Sequence, residues 1–157
     1  MTNYHKLIEI LKQKKLTIST AESCTGGLIS KLITDVPGAS EVFIGGVVSY
    51  SNEMKMRWLG VKQETLEEYG AVSENTVREM LNGIMRETGS NIAVAVSGIA
   101  GPTGGTPEKP VGTVFIGVAF GDQTRVKKYL FEGSREDVRM KGAKKIVEMI
   151  QILFKND

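Results

Sequence analysis

At 157 residues the chain can build one core of ordinary size but not two comfortable domains, so residues 1–157 are read as a single domain. With 41% hydrophobic and 24% charged residues the composition excludes a disordered chain, and no apolar run reaches the roughly 18 residues of a membrane span. The net charge is only +2 and the one basic cluster, REDVRMKGAKK, is diluted by acids, which argues against nucleic acid as a partner; one cysteine and one histidine leave no constellation for a metal cofactor.

The N-terminal stretch MTNYHKLIEILKQKK interleaves charge where a secretory leader would carry an unbroken apolar run, so a cytoplasmic protein is expected, with no membrane partner. Leu7, Ile8, Ile10 and Leu11 recur at helical spacing over residues 3–14, and LTIST then switches to the β-rich pattern of a buried strand. From Thr25 to Val36 the spacing is helical again, closed by the turn signal PGAS. VFIGGVVSYS reads as a second strand whose glycines imply close backbone approach. A short helix holding Lys55 follows, then a segment around ETLEEYG. Ser73 has the chemistry of an N-cap, opening a helix with Val77, Met80, Leu81, Ile84 and Met85 as its apolar stripe. NIAVAVSG, VGTVFIGVAF and TRVKKYLFEG are strands three to five, the last two joined by a GDQ turn, and a final helix runs from about Arg135 to Phe154. Early alternation of helices and strands, followed by adjacent strands, predicts an α/β fold: a three-layer α/β/α sandwich with a mixed, mostly parallel sheet of about five strands.

In open α/β sheets ligands bind at the carboxyl ends of strands, and AESCTGG, SYSNEMK and SGIAGPTGGTPEKP all lie there. The last of these carries four glycines and three prolines; its backbone N–H groups can turn toward a phosphate, or the loop can be a rigid surface Ω-loop. In AESCTGG the amides of Cys24, Thr25 and Gly26 open the predicted helix without intrahelical partners and could hold an oxyanion, while Ser23 or Thr25 could equally be an ordinary N-cap. A histidine base for Ser23 is disfavoured, because His5 lies in the first helix with nothing to bring it near. Lys55, at the mouth of the second strand, can act as base if a positive helix end and burial favour its neutral form; a solvated surface lysine is the alternative. Tyr50 could relay a proton or orient that lysine. Cys24 is the competing nucleophile, though without a histidine it reads as a small buried residue beside the site. Arg135 and Arg139 lie one helical turn apart, and either could reach a phosphate or carboxylate or pair with Glu136 in solvent.

TAESCTGG, SYSNEMK, GAVSENTV, SGIAGPTGG, KPVGTV and GSRE resemble, in order, the blocks of the CinA C-terminal domain family, whose stand-alone members are nicotinamide-nucleotide amidases. The resemblance runs from near residue 17 to the last helix. It implies hydrolysis of nicotinamide mononucleotide to nicotinic acid mononucleotide and ammonia without a metal or other cofactor, a small-molecule pyridine nucleotide as substrate, and a homo-oligomer. It matches Ser23 to the nucleophile, Lys55 to the base, and Tyr50 and Arg139 to the family's tyrosine and late arginine. With the oxyanion amides of Cys24, Thr25 and Gly26, the loop positions Ser97, Gly98, Gly101, Thr103 and Gly104 complete the expected substrate-binding set. The N-terminal domain of larger CinA proteins, and the ADP-ribose pyrophosphatase activity associated with it, are not expected in this chain. The rival class is a nucleotide-binding module of the same family without catalysis, linked to competence or recombination.

Overall fold

A computed structural model of the protein describes residues 3–155, which form a five-stranded sheet between two helical layers. In chain order the elements are α1 (Asn3–Lys14), β1 (Ile18–Glu22), α2 (Leu28–Thr34), β2 (Phe43–Val48), α3 (Asn52–Leu59), α4 (Gln63–Tyr69), α5 (Glu74–Thr88), β3 (Ile92–Gly98), β4 (Thr113–Phe120), β5 (Gln123–Leu130) and α6 (Arg135–Lys155). A single 3-10 turn, Ala39–Glu41, precedes β2. The strand order is β2-β1-β3-β4-β5; β1 is parallel to β2 and β3, and β3, β4 and β5 pair antiparallel in sequence. Four strands therefore share one direction and β4 alone runs against them, the mixed and mostly parallel sheet the sequence predicts.

Alternation along β3 sorts the two faces of the core. Ile92, Val94 and Val96 pack with Leu7, Leu11, Ile29, Ile33, Ile146 and Ile150 beneath α1, α2 and α6. Ala93 and Ala95 face the stripe Val77, Met80, Leu81 and Ile84 of α5. Small sheet residues let α5 approach closely: a β-carbon at Gly117 would lie 2.7 Å from Leu81 and Val77. At Gly83 of α5 a β-carbon would collide with the Leu59 carbonyl, so this glycine lets α3, the helix that carries Lys55, seat against α5.

Two boundaries differ from the sequence reading. β1 extends to Glu22 with every residue buried, because parallel neighbours pair with it on both sides. The following helix starts at Leu28 and not at Thr25, since Gly26 and Gly27 take φ of 61° and 104°, left-handed conformations outside the right-handed helix, with Gly27 left as its cap. Residues 23–27 instead form a turn, in which the Gly26 amide donates to the Ser23 carbonyl at 3.0 Å.

Candidate active site

The register of the sheet brings the first two chemical segments together. Glu22 and Val48 are paired at the carboxyl ends of β1 and β2, so the chain leaves both strands at the same edge, one exit leading to Ser23 and the other to Tyr50 and α3. Ser51 caps α3, its side chain accepting from the Met54 amide at 3.2 Å, and this start places Lys55 on the first turn facing inward. Lys55 is 1% exposed and is among the largest fully buried side chains of the protein. Its Nζ donates to Ser23 Oγ at 3.0 Å, to the Ser49 carbonyl at 2.9 Å and to the Tyr50 carbonyl at 3.1 Å. Among the described residues no carboxylate pairs with it. Burial without a counter-charge lowers its pKa from 10.5 to about 8, the nearby Cys24 thiol opposing this weakly. Desolvation is thus the cause, and the positive helix end is not needed.

Cys24 is buried beside this pair, and burial raises its thiol pKa to about 11. A thiol so protonated at neutral pH, with no polar side-chain partner among the described residues, leaves Ser23 as the hydroxyl in contact with a base.

The turn that presents Ser23 is held from below by Glu22. This carboxylate, 1% exposed, accepts from the Thr25 hydroxyl at 2.7 Å, the Ile29 amide at 2.9 Å, and the Ser30 amide and hydroxyl at 3.0 and 2.7 Å. It does the work of an N-cap for α2, whose own cap residue, Gly27, has no side chain to offer. Sequence reasoning missed Glu22, because a lone acid at a strand end carries no spacing signal. We expect Glu22→Ala, which removes the acceptor of four hydrogen bonds, two of them fully buried, to destabilise the fold by about 3 kcal/mol or more in urea denaturation. A loss below about 1 kcal/mol, the ordinary value of one neutral hydrogen bond, would show that water replaces it.

Ser23, Cys24, Tyr50, Lys55, Ser97, Gly98, Gly101, Thr103 and Gly104 line one cavity of about 320 Å³ at the carboxyl end of the sheet. Asn52, Ala71, Val72, Ile99, Ala100 and Arg135 complete its wall. The long β3–β4 loop closes over it, its base clamped by the Ile99 amide donating to the Thr113 carbonyl and the Gly112 amide to the Ile99 carbonyl, each at 2.8 Å. Glycine at 101 is required by its φ of 83° and by Val111, which a β-carbon would strike. Thr25, Gly26 and Arg139 lie apart from this set, lining a neighbouring cavity of about 530 Å³ with Arg135 on the border of both. The side chain of Tyr50, 58% exposed, is turned from Lys55 toward Arg135, whose Nη2 donates to the phenol oxygen at 3.1 Å. It is the Tyr50 carbonyl that touches the lysine. The Gly26 amide is already bonded within the turn, whereas those of Cys24 and Thr25 donate to no backbone carbonyl among the described residues.

The sequence matches the model of the CinA C-terminal domain over residues 2–154. A CinA-like protein of Thermotoga maritima is 51% identical over 149 residues, covering 95% of this chain and 36% of that protein. A putative competence-damage inducible protein of Clostridium acetobutylicum is 51% identical over 142 residues, 90% of this chain and 34% of its own length. The chain thus spans about a third of the curated relatives it matches. Among solved structures, competence damage-inducible protein A of Klebsiella pneumoniae superposes with a TM-score of 0.90 at 37% identity over 95% of both chains. The competence/damage inducible protein of Agrobacterium tumefaciens superposes with a TM-score of 0.91 at 36% identity over 98% of this chain and 96% of its own.

Proposed function

The chain belongs to the CinA C-terminal domain family, and from that premise we propose that it is an amidohydrolase converting nicotinamide mononucleotide to nicotinic acid mononucleotide and ammonia. The observation that carries this reading is the contact of 3.0 Å between Lys55 Nζ and Ser23 Oγ in a cavity open to a small molecule. Neutral Lys55 takes the proton of Ser23 as Oγ attacks the carboxamide carbon. The oxyanion that develops is met by the Cys24 amide at the cavity wall, such a donor contributing about 3 kcal/mol to the transition state. The ammonium of Lys55 then gives its proton to the leaving nitrogen, ammonia departs and a nicotinoyl ester remains on Ser23. Water, deprotonated by the same lysine, attacks the ester; the acid is released and the proton returns to Ser23 Oγ. No acidic side chain lines the cavity, which suits a substrate bearing a phosphate. The test is release of ammonia from nicotinamide mononucleotide in step with appearance of the acid nucleotide; a protein that binds the nucleotide without turnover would instead be a binding module.

We propose further that turnover needs no metal. Among the described residues no group of three or more His, Cys, Asp or Glu side chains could hold an ion, and the chemistry above is complete with a lysine base. Exhaustive dialysis against EDTA should leave the rate of ammonia release unchanged; loss of the rate, restored by one divalent ion, would refute this.

A further inference from the structure

Two cations line the dyad cavity, and they have different jobs available to them. Lys55 is at the Ser23 end, where its nitrogen is committed to the nucleophile and two carbonyls. Arg135, on the first turn of α6, is at the border of the dyad cavity and its neighbour. Its Nη1 donates to the Gly101 carbonyl at 2.7 Å and its Nη2 to the Tyr50 phenol at 3.1 Å, so it ties the β3–β4 loop to the β2–α3 connection across the cavity. Both partners are neutral. Among the described residues no carboxylate lies within ion-pair distance of Arg135, in contrast to Lys31, which is held by Asp35. An exposed phenol is a weak partner for a guanidinium; a phosphate oxygen gives a charge-assisted bond of about twice the strength, and in a bidentate geometry that a lysine could not match.

Arg139, one turn further along α6, faces elsewhere. Its Nε donates at 2.8 Å to the carbonyl of Cys24, the residue that follows the nucleophile, and its side chain borders the neighbouring cavity and not the dyad cavity. That bond reaches from α6 to the turn of residues 23–27 and holds Cys24, the residue whose amide would receive the oxyanion.

We infer that the two arginines divide the labour: Arg135 receives the anionic group of the substrate, releasing the Tyr50 phenol to do so, and Arg139 is a positioning residue that braces the Ser23 turn. The assignment rests on the amidase reading and adds to it which side chain reads the phosphate. It also gives the phenol of Tyr50 a place as the latch that keeps Arg135 oriented until the anion arrives.

The experiment compares kcat/KM on nicotinamide mononucleotide and on nicotinamide riboside, which keeps the scissile amide and lacks the phosphate. Wild type should prefer the nucleotide by about 10- to 100-fold, the worth of one charge-assisted contact. Arg135→Ala should bring that preference to near one, chiefly by raising KM for the nucleotide, and Arg135→Lys, which keeps the charge but not the fork, should fall between. Arg139→Ala should lower kcat on both substrates by one common factor and leave the preference intact. The inference is overturned if Arg135→Ala and Arg135→Lys keep the wild-type preference, or if Arg139→Ala is the variant that abolishes it. Should wild type hydrolyse neither compound, the amidase reading fails by itself; nicotinic acid mononucleotide titrated calorimetrically into wild type and Arg135→Ala then decides the arginine assignment, which requires binding at least 10-fold weaker in the variant.

Discussion

Ser23→Ala is expected to reduce ammonia release from nicotinamide mononucleotide by about four orders of magnitude or more, while Cys24→Ala costs less than about tenfold. Adjacent in sequence and both buried in the cavity wall, the two residues differ in what their heteroatoms meet. Oγ of Ser23 is 3.0 Å from the one base in the cavity; the sulfur of Cys24 makes no side-chain hydrogen bond among the described residues, and burial, outweighing the nearby Arg139 and Lys55 charges, lifts its pKa to about 11. A nucleophile must lose its proton as it attacks, and removing the hydroxyl leaves only the oxyanion donors and binding to accelerate the reaction. Alkylation of Cys24 can still inhibit by crowding the cavity, so the alanine variants are the decisive pair. Activity that survives in Ser23→Ala and disappears in Cys24→Ala would mean that the thiol attacks.

The convergence of the Ser23 and Lys55 segments was legible in the sequence from topology, while the pairing of these two side chains came from the resemblance to the family blocks. Ser23 and Lys55 are far apart in the chain, yet each follows a strand, and parallel strands that are sheet neighbours release their loops at the same end. Helical stripes and strand patterns of the core are equally local signals, and the stripe of α5 lies where its spacing places it. What sequence could not supply are features decided by rotation or by one peptide unit. Arg135 and Arg139 are a single turn apart on α6, and only the docking angle of that helix determines which of them meets the dyad cavity. Tyr50 offers both a phenol and a carbonyl; the carbonyl touches Lys55 and the phenol points to Arg135, a distinction no residue code contains. The glycine pair hid the third feature. Two positive φ angles turn the expected helix start into a separate turn, in which Thr25 and Gly26 border the neighbouring cavity and the Cys24 amide is the one left at the dyad cavity.

Lys55 is expected to set the pH dependence of the reaction. As the base it must be neutral, so kcat/KM should rise about tenfold per pH unit below an apparent pKa of about 8 and level off above it. Lys55→Arg keeps a positive charge of similar reach but cannot lose its proton at working pH, and its rate should fall by about three orders of magnitude or more. Lys55→Met keeps most of the buried stem, removes the charge and should be as inactive. Stability supplies an independent check. In the unfolded chain the lysine titrates near 10.5 and in the fold near 8, so between those values the unfolded state holds more protons and wild-type stability rises with pH. Below about 8 both states are protonated and the folded protein carries the full cost of a buried ammonium, on the order of 3 kcal/mol, which Lys55→Met escapes. The difference in unfolding free energy between wild type and Lys55→Met should therefore shrink in favour of wild type as pH rises from about 8 to 10.5. A flat difference across that window would mean that Lys55 keeps an ordinary pKa in the fold. Near-wild-type kcat in Lys55→Arg would carry the opposite lesson for mechanism: a fixed positive charge beside Ser23 suffices, and the proton leaves through water.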